Sequence, residues 1–391
     1  MPSTVVYAGI GPELVLYDLD VPGAALRKQS SVLLPANIQY AWVHPSSRYL
    51  YVVASNGGPG VIPGDTHLAS ALRIEPASGT LTPHGAPQAL PSRPIHCCVD
   101  SSGAYLLTVF NFPSAVTVHR INQDGTLGGL VPQPASLDYG SFAHQIRLTP
   151  APQRAILVTR GNDATAAKPE DPGALKVFDF HQGVLTPQAS IAPGSGMGFG
   201  PRHLDFHPQQ PWVFVSVERQ NQLQVYELRA DHSLAATPLF TRTTLADPTH
   251  VLAGQAAGAI RVHPSGRFVY VTNRNSGLVD FAGTQVSHGG ENSIAVFAID
   301  QSTGEPTLIQ HSDAQALHLR TLSIDPGGHV LVAASILPMA VRQGERVVRR
   351  AAGLSVQQIG SDGMLTCVRQ YDVDTSQGMQ FWSGMVTLAS A

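Results

Sequence analysis

The chain has 391 residues and a formal net charge of −3, with 43% hydrophobic and only 13% charged residues. The absence of any basic run or stripe argues against nucleic acid or an anionic membrane surface as a partner, and no apolar run is long enough to span a bilayer. The three cysteines, Cys97, Cys98 and Cys367, make neither a disulfide framework nor a CxxC pair, so a reduced, cytoplasmic location is expected.

The first elements are two strand-like segments, Val5–Ile10 and Glu13–Leu19, followed by a turn from Gly23 to Leu26. A unit then begins to recur. A short apolar strand ends in a turn, at His44, Asp100, Thr149, His207, His263 and Asp325 in successive copies. A second apolar strand follows each turn: Tyr49–Val53, Tyr105–Val109, Ala155–Thr159, Trp212–Val217, Phe268–Thr272 and Val330–Ala334. An alternating third strand comes next, as in Leu223–Leu228 and Ile294–Ile299. Turns such as Gly79-Thr80-Leu81 and Gly363-Met364-Leu365 lead into a weaker fourth strand.

Four antiparallel strands repeating about every 50 to 60 residues describe a β-propeller blade. Six copies are complete. The N-terminal pair lacks a first strand, and the C-terminal segment Gln380–Val386 is a first strand with nothing after it. The expected fold is therefore all-β: one seven-bladed β-propeller domain over residues 1–391, its blades four-stranded and antiparallel, closed by N- and C-terminal strands sharing one blade. Such closure leaves no free sheet edge, whereas an open solenoid would need caps.

Long loops follow the second strand in four blades, at 56–66, 162–173, 276–292 and 337–353. Loops in an antiparallel meander alternate between the two faces of the disc, so all four are expected at one mouth of the central channel, as rims or lids. The arginine-rich piece Arg342–Arg350 reads as a solvated rim.

Two registers face the same mouth. Five residues before each turn anchor stand Gln39, Ile95, His144, Arg202, Gly258 and Arg320. Eleven residues after it stand Ser55, Asn111, Arg160, Glu218, Arg274 and Ile336. Blade packing asks for no charge there, yet these positions hold His144, Arg160, Arg202, Glu218, Arg274 and Arg320, a concentration of charge in a chain only 13% charged. His96 and His203 come one residue further along the inner strand. His207 and His263 are turn residues of the opposite face and read as structural. Arginines offer planar, bidentate recognition of carboxylate or phosphate. Glu218 beside them should stay ionised and orient or deprotonate water, and His144 is expected to exchange a proton near neutral pH. No HxH or HExxH spacing, P-loop or Gly-x-Ser-x-Gly elbow appears, so no metal or cofactor is expected.

Four segments carry a family resemblance: Gly200-Pro-Arg-His-x-x-Phe-His-Pro208, the Val217-Glu218 strand end with Val225-Tyr-Glu-Leu228, His263–Val271 through Asn273-Arg274, and Arg320–Pro326. With these the chain resembles the seven-bladed propeller lactonases, a family that includes propeller-type 6-phosphogluconolactonases and fungal carboxymuconate lactonizing enzymes. The resemblance implies a catalytic set of His144, Arg202, Glu218 and Arg274. Arg202 and Arg274 would hold an acidic group and polarise a lactone carbonyl, while Glu218, helped by His144, would activate water. Arg320, His96, His203, Arg160 and Gln39 are the expected substrate-binding residues. The expected partner is a small anionic lactone or carboxylate, acted on by hydrolysis. The alternatives are lactonizing cycloisomerisation of a muconate-type acid and a propeller that only binds. The oligomeric state is left open.

Overall fold

A computed structural model describes residues 3–59, 62–150 and 154–389. The parts of the one-domain expectation, and of the 56–66 loop, that fall on the remaining residues lie outside the described ones. Seven blades surround an axis. Their inner strands are Ile38–Val43, Pro94–Val99, Ala143–Leu148, Pro201–Phe206, Gln255–Val262, Leu319–Ile324 and Gln380–Thr387. Each pairs antiparallel with its blade's second strand, and the sheet order runs outward to the fourth. Blade seven is assembled from both ends of the chain: Gln380–Thr387 pairs with Thr4–Ile10, which pairs with Glu13–Asp20, which pairs with Ala25–Leu33. No described helix is long and apolar enough to cross a membrane.

Alternation along each strand sends apolar side chains toward the two neighbouring blades, so the core is a series of layers between blades. Val6, Ala8 and Val15 of blade seven pack with Val330, Val332 and Val356 of blade six. Phe214 and Val225 of blade four pack with Val269 and Phe297 of blade five. Cys97 and Cys98 are fully buried in such layers, where burial pushes both thiols up.

Polar stitches repeat between blades. The Tyr7, Tyr51 and Tyr270 hydroxyls donate to the carbonyls of Gly79, Gly125 and Gly363, each in the closing turn of the next blade. The His44 and His263 rings lie 3.1 and 2.9 Å from the carbonyls of Gly103 and Gly328 in the next blade's turn. A side chain on Gly103 is excluded twice over: its φ is +76°, and a Cβ would sit 2.2 Å from His44 Nε2. His207 Nδ1 accepts from the amides of Gln209 and Gln210. The turn histidines are scaffold, as expected.

Two of the four long loops fold into hairpins, Leu278–Phe281 with Thr284–Ser287 and Met339–Gln343 with Arg346–Arg350. They lean on each other, with the Arg342 guanidinium 4.1 Å from the Phe281 ring centre. Arg346, Arg349 and Arg350 are exposed.

Candidate active site

The register found by counting back from the turns has a structural basis. In every blade the pairing of inner and second strand slips at one place, a β-bulge. In six blades the unpaired residue is Gln39, Ile95, His144, Arg202, Arg320 or Phe381. In blade five it is the pair Gly258 and Ala259. A bulge frees one side chain from the alternation and re-aims it, here toward the axis. Blade five has no room to use this, because a Cβ on Gly258 would lie 2.2 Å from Thr272 Oγ1. Its charge comes instead from Arg274, at the end of the second strand.

The second register is fixed by backbone bonds within a blade, from the end of the second strand to the entry of the inner one. Glu218 N donates to Gly200 O at 2.7 Å and Arg160 N to Phe142 O at 2.9 Å. Glu218 therefore meets three arginines from three blades. Its Oε1 accepts from Arg274 Nη2 at 2.7 Å, its Oε2 accepts from Arg160 Nε at 3.1 Å, and Arg202 Nε lies 3.8 Å from Oε2. Arg160 also reaches Asp163 at 3.1 Å and covers the Phe142 ring. Burial alone would raise the Glu218 pKa, but Arg274, Arg160 and Arg202 overcome it and bring it to about 2. Glu218 is ionised, as expected, and its lone pairs are committed to guanidinium groups.

Below the mouth the imidazoles form a column. The His144 and His203 ring centres are 5.0 Å apart, His203 and His96 are 6.2 Å apart, and the His96 and Tyr40 rings meet at a tilt of 39° with centres 4.1 Å apart. Arg202 Nη1 lies 3.1 Å from His203 Nδ1. His144 does not titrate near neutral pH as expected. Burial holds its pKa well below the usual histidine range, and Arg202, Arg320 and Arg274 push it further the same way. His96 and His203 are also held neutral, first by burial, then His96 by Arg147, Arg261 and Arg202 and His203 by Arg202 and the neighbouring imidazoles.

The expected substrate-binding residues divide. Arg160, like Arg202 and Arg274, surrounds Glu218. His203 and His96 sit deeper, in the column. Gln39 and Arg320 lie across the mouth, where the structure adds three residues that the sequence reading missed. Arg93 donates to Gln39 Oε1 at 2.9 Å and stands 5.5 Å from the Phe381 ring centre. Arg320 covers the same ring at 4.5 Å and donates to the Phe381 carbonyl at 3.2 Å. His318 is held neutral, its pKa brought to about 3 by burial, Arg274, Arg320 and Arg202. Phe381 was within reach of the sequence, as the bulge residue of the split blade.

Arg93, Arg160, Arg202, Arg274 and Arg320 thus face one carboxylate of the same registers. Burial and the neighbouring Arg274 bring the Arg202 pKa down to about 9, and burial brings that of Arg93 to about 10. Positive charge held at this cost gains most from an incoming anion. Several groups there are buried without a hydrogen-bond partner in the protein: Arg202 Nε, Arg274 Nη1 and His144 Nδ1. These three side chains act on one another electrostatically, and two guanidinium nitrogens and an imidazole nitrogen left without a partner are a set suited to an acyl group that develops negative charge while water loses a proton.

Known proteins share this architecture. The 6-phosphogluconolactonase of Bacillus subtilis is 26% identical over 328 residues, covering 82% of this chain and 83% of that protein. The 6-phosphogluconolactonase of Pectobacterium atrosepticum is 26% identical over 304 residues, 78% of this chain and 79% of its own length. Among solved structures, the periplasmic gluconolactonase PpgL of Pseudomonas aeruginosa superposes with a TM-score of 0.72 at 20% identity, over 99% of both chains. A putative 6-phosphogluconolactonase from Bacteroides uniformis gives 0.72 at 18% identity, over 99% of this chain and all of that one. The family model "Lactonase, 7-bladed beta-propeller" matches residues 6–337, and the chain belongs to that family.

Proposed function

We propose that this protein hydrolyses a small lactone bearing an acidic group, at the mouth whose centre is Glu218. The observation that carries the reading is that Arg202, Arg274 and a neutral His144, which act on one another electrostatically, each keep a buried nitrogen without a hydrogen-bond partner. Arg202 and Arg274 bind the carbonyl oxygen and stabilise the oxyanion of the tetrahedral intermediate. His144 takes a proton from water as the oxygen attacks the acyl carbon. When the ring C–O bond breaks, the imidazolium returns that proton to the departing oxygen, and a hydroxy acid leaves. Glu218 holds the two guanidinium planes in place, and its oxygens are already taken up by Arg274 and Arg160. Arg320, with Arg93 and Gln39, receives the substrate's own acidic group.

The same residues serve a lactonizing cycloisomerase less well. Adding a carboxylate across a double bond requires a proton donor to carbon. The ionised Glu218 and the neutral imidazoles hold no such proton at neutral pH. The three free thiols suit a reducing compartment, which supports a cytoplasmic location.

The test is an assay of sugar-acid and carboxylated lactones with wild type, His144→Gln, Glu218→Gln and Arg274→Ala. Wild type should open at least one of them, and each variant should be slower by about 100-fold or more. Equal rates in all four proteins would refute the assignment.

A further inference from the structure

The far end of the axial channel holds a second polar cavity, on the face of the turn histidines. Three residues beyond the bulge, the inner strands carry Arg147, Asp205 and Arg261 on consecutive blades, and Trp42, Ser323 and Gly384 on blades one, six and seven. Arg147 is fully engaged. It pairs with Asp205 at 3.0 Å and covers Trp42 at 5.0 Å and Phe206 at 5.5 Å. Asp205 is engaged too, its Oδ2 accepting from Val262 N at 3.0 Å. These groups close the side of blades three and four.

Arg261 faces the opposite side, and it shares the single carboxylate of Asp205 with Arg147, so the group keeps one positive charge in excess. Among the described residues no carboxylate lies within 4 Å of it. Its Nη1 donates to the Ile260 carbonyl at 3.0 Å, and Tyr40 and, beyond 4 Å, Asp205 are the groups that favour its charge. It lines a cavity of about 230 Å³ shared with Tyr40, Trp42, Ser323, Trp382 and Met385. The small residues of blades six and seven leave this space open. A side chain on Gly384 would already collide with Trp382, 2.5 Å from an added Cβ. A second observation points into the cavity. Ser323 is 7% exposed, and its hydroxyl is buried with no hydrogen-bond partner.

We propose that this far cavity is a binding site for a small organic monocarboxylate, with its carboxylate on Arg261 and Ser323 and its apolar body between the two tryptophans. With two guanidinium groups to one carboxylate, the fork of Arg261 matches a single further carboxylate. Aromatic walls favour a carbon skeleton over an inorganic anion, which would leave them wet. The volume, nearly that of eight waters at roughly 30 Å³ each, admits an acid of a few carbons. The site shares no residue with the lactone-opening mouth and does not rest on that reading. The column of Tyr40, His96 and His203 separates the two.

The probes are butyrate and hexanoate, titrated into the full protein and followed by tryptophan fluorescence and calorimetry. Of the three tryptophans, Trp42 and Trp382 line the cavity, so fluorescence reports its occupation. Wild type should show a saturable change between roughly 0.1 and 10 mM. Arg261→Met and Ser323→Leu should each weaken it at least tenfold and leave the wild-type rate of lactone opening within twofold. Arg274→Ala, at the other mouth, should bind the probes as wild type does. Ser323→Leu fills the cavity without removing a charge, so it decides the matter if Arg261→Met does not fold. Three results would overturn the proposal: no saturable binding by wild type, binding unchanged in Ser323→Leu, or binding lost in Arg274→Ala.

Discussion

Glu218 Oε1 accepts a hydrogen bond from Arg274 Nη2 at 2.7 Å, across the boundary of blades four and five, with the two side chains only 11% and 10% exposed. Removing one partner of such a pair strands the other, at a typical cost of about 3–5 kcal/mol. The two removals are not equivalent here. Glu218 is the carboxylate that three arginines share, whereas Arg274 also repels Arg202 and Arg320. Glu218→Gln should therefore lower the urea midpoint more than Arg274→Met, and the double variant should be more stable than the sum of the two losses implies. A larger loss in Arg274→Met would mean that the mouth carries no excess of positive charge.

The protonation of His144 has a kinetic signature. In its proposed role as base it must be neutral, and its folded pKa lies well below 6.5, so the reactive form is already complete at neutral pH. The rate kcat/KM should be level from about pH 6.5 to 8 and fall only in acid, as pH drops through the folded pKa. An inflection centred near 6.5, absent in His144→Gln, would show that the imidazole is not held down.

The same histidines make stability depend on acid. His96, His144, His203 and His318 have lowered folded pKa values. Below about pH 6.5 the unfolded chain takes up protons that the native chain refuses, so stability is complete above that pH and declines beneath it. Each group adds up to about 1.4 kcal/mol per pH unit. Glu218 adds a second decline, as pH falls from its unfolded value of 4.5 toward about 2. Urea midpoints at pH 7.5, 6.5 and 5.5 measure the first effect. A midpoint unchanged at pH 5.5 would contradict it, since an ordinary carboxylate network would not yet have begun to titrate.

Counting along the repeat placed Gln39, His144, Arg202 and Arg320 in one ring because every blade breaks its pairing at the same step, and a fixed bulge preserves a fixed count. The count had no hold on Arg93 or His318. Both stand two residues before the bulge, where the chain has not entered the strand, and His318 has a φ of +54°, so no alternation says where the side chain points. Protonation was the other gap. Whether His144 titrates depends on burial and on arginines from three other blades, which only assembly of the ring brings together. Phe381 was missed for a simpler reason: the register was searched for charge, and blade seven supplies a ring.

That ring is the subject of the last prediction. Phe381 lies under Arg320 at 4.5 Å and beside Arg93 at 5.5 Å, and it holds two like charges on one side of the mouth opposite Glu218. Its face attracts both guanidinium groups, by about 0.5–2 kcal/mol per contact when they are partly desolvated. The Phe381 carbonyl that accepts from Arg320 belongs to the backbone and survives substitution. Phe381→Ala should therefore loosen the two arginines without releasing Arg320 altogether. If these arginines grip the substrate's acidic group and take no part in bond making, the variant raises KM about tenfold and changes kcat less than threefold. Phe381→Trp, which keeps an aromatic face, should restore most of the KM. A fall in kcat equal to the rise in KM would place Arg320 among the groups that act on the transition state, beside Arg202 and Arg274.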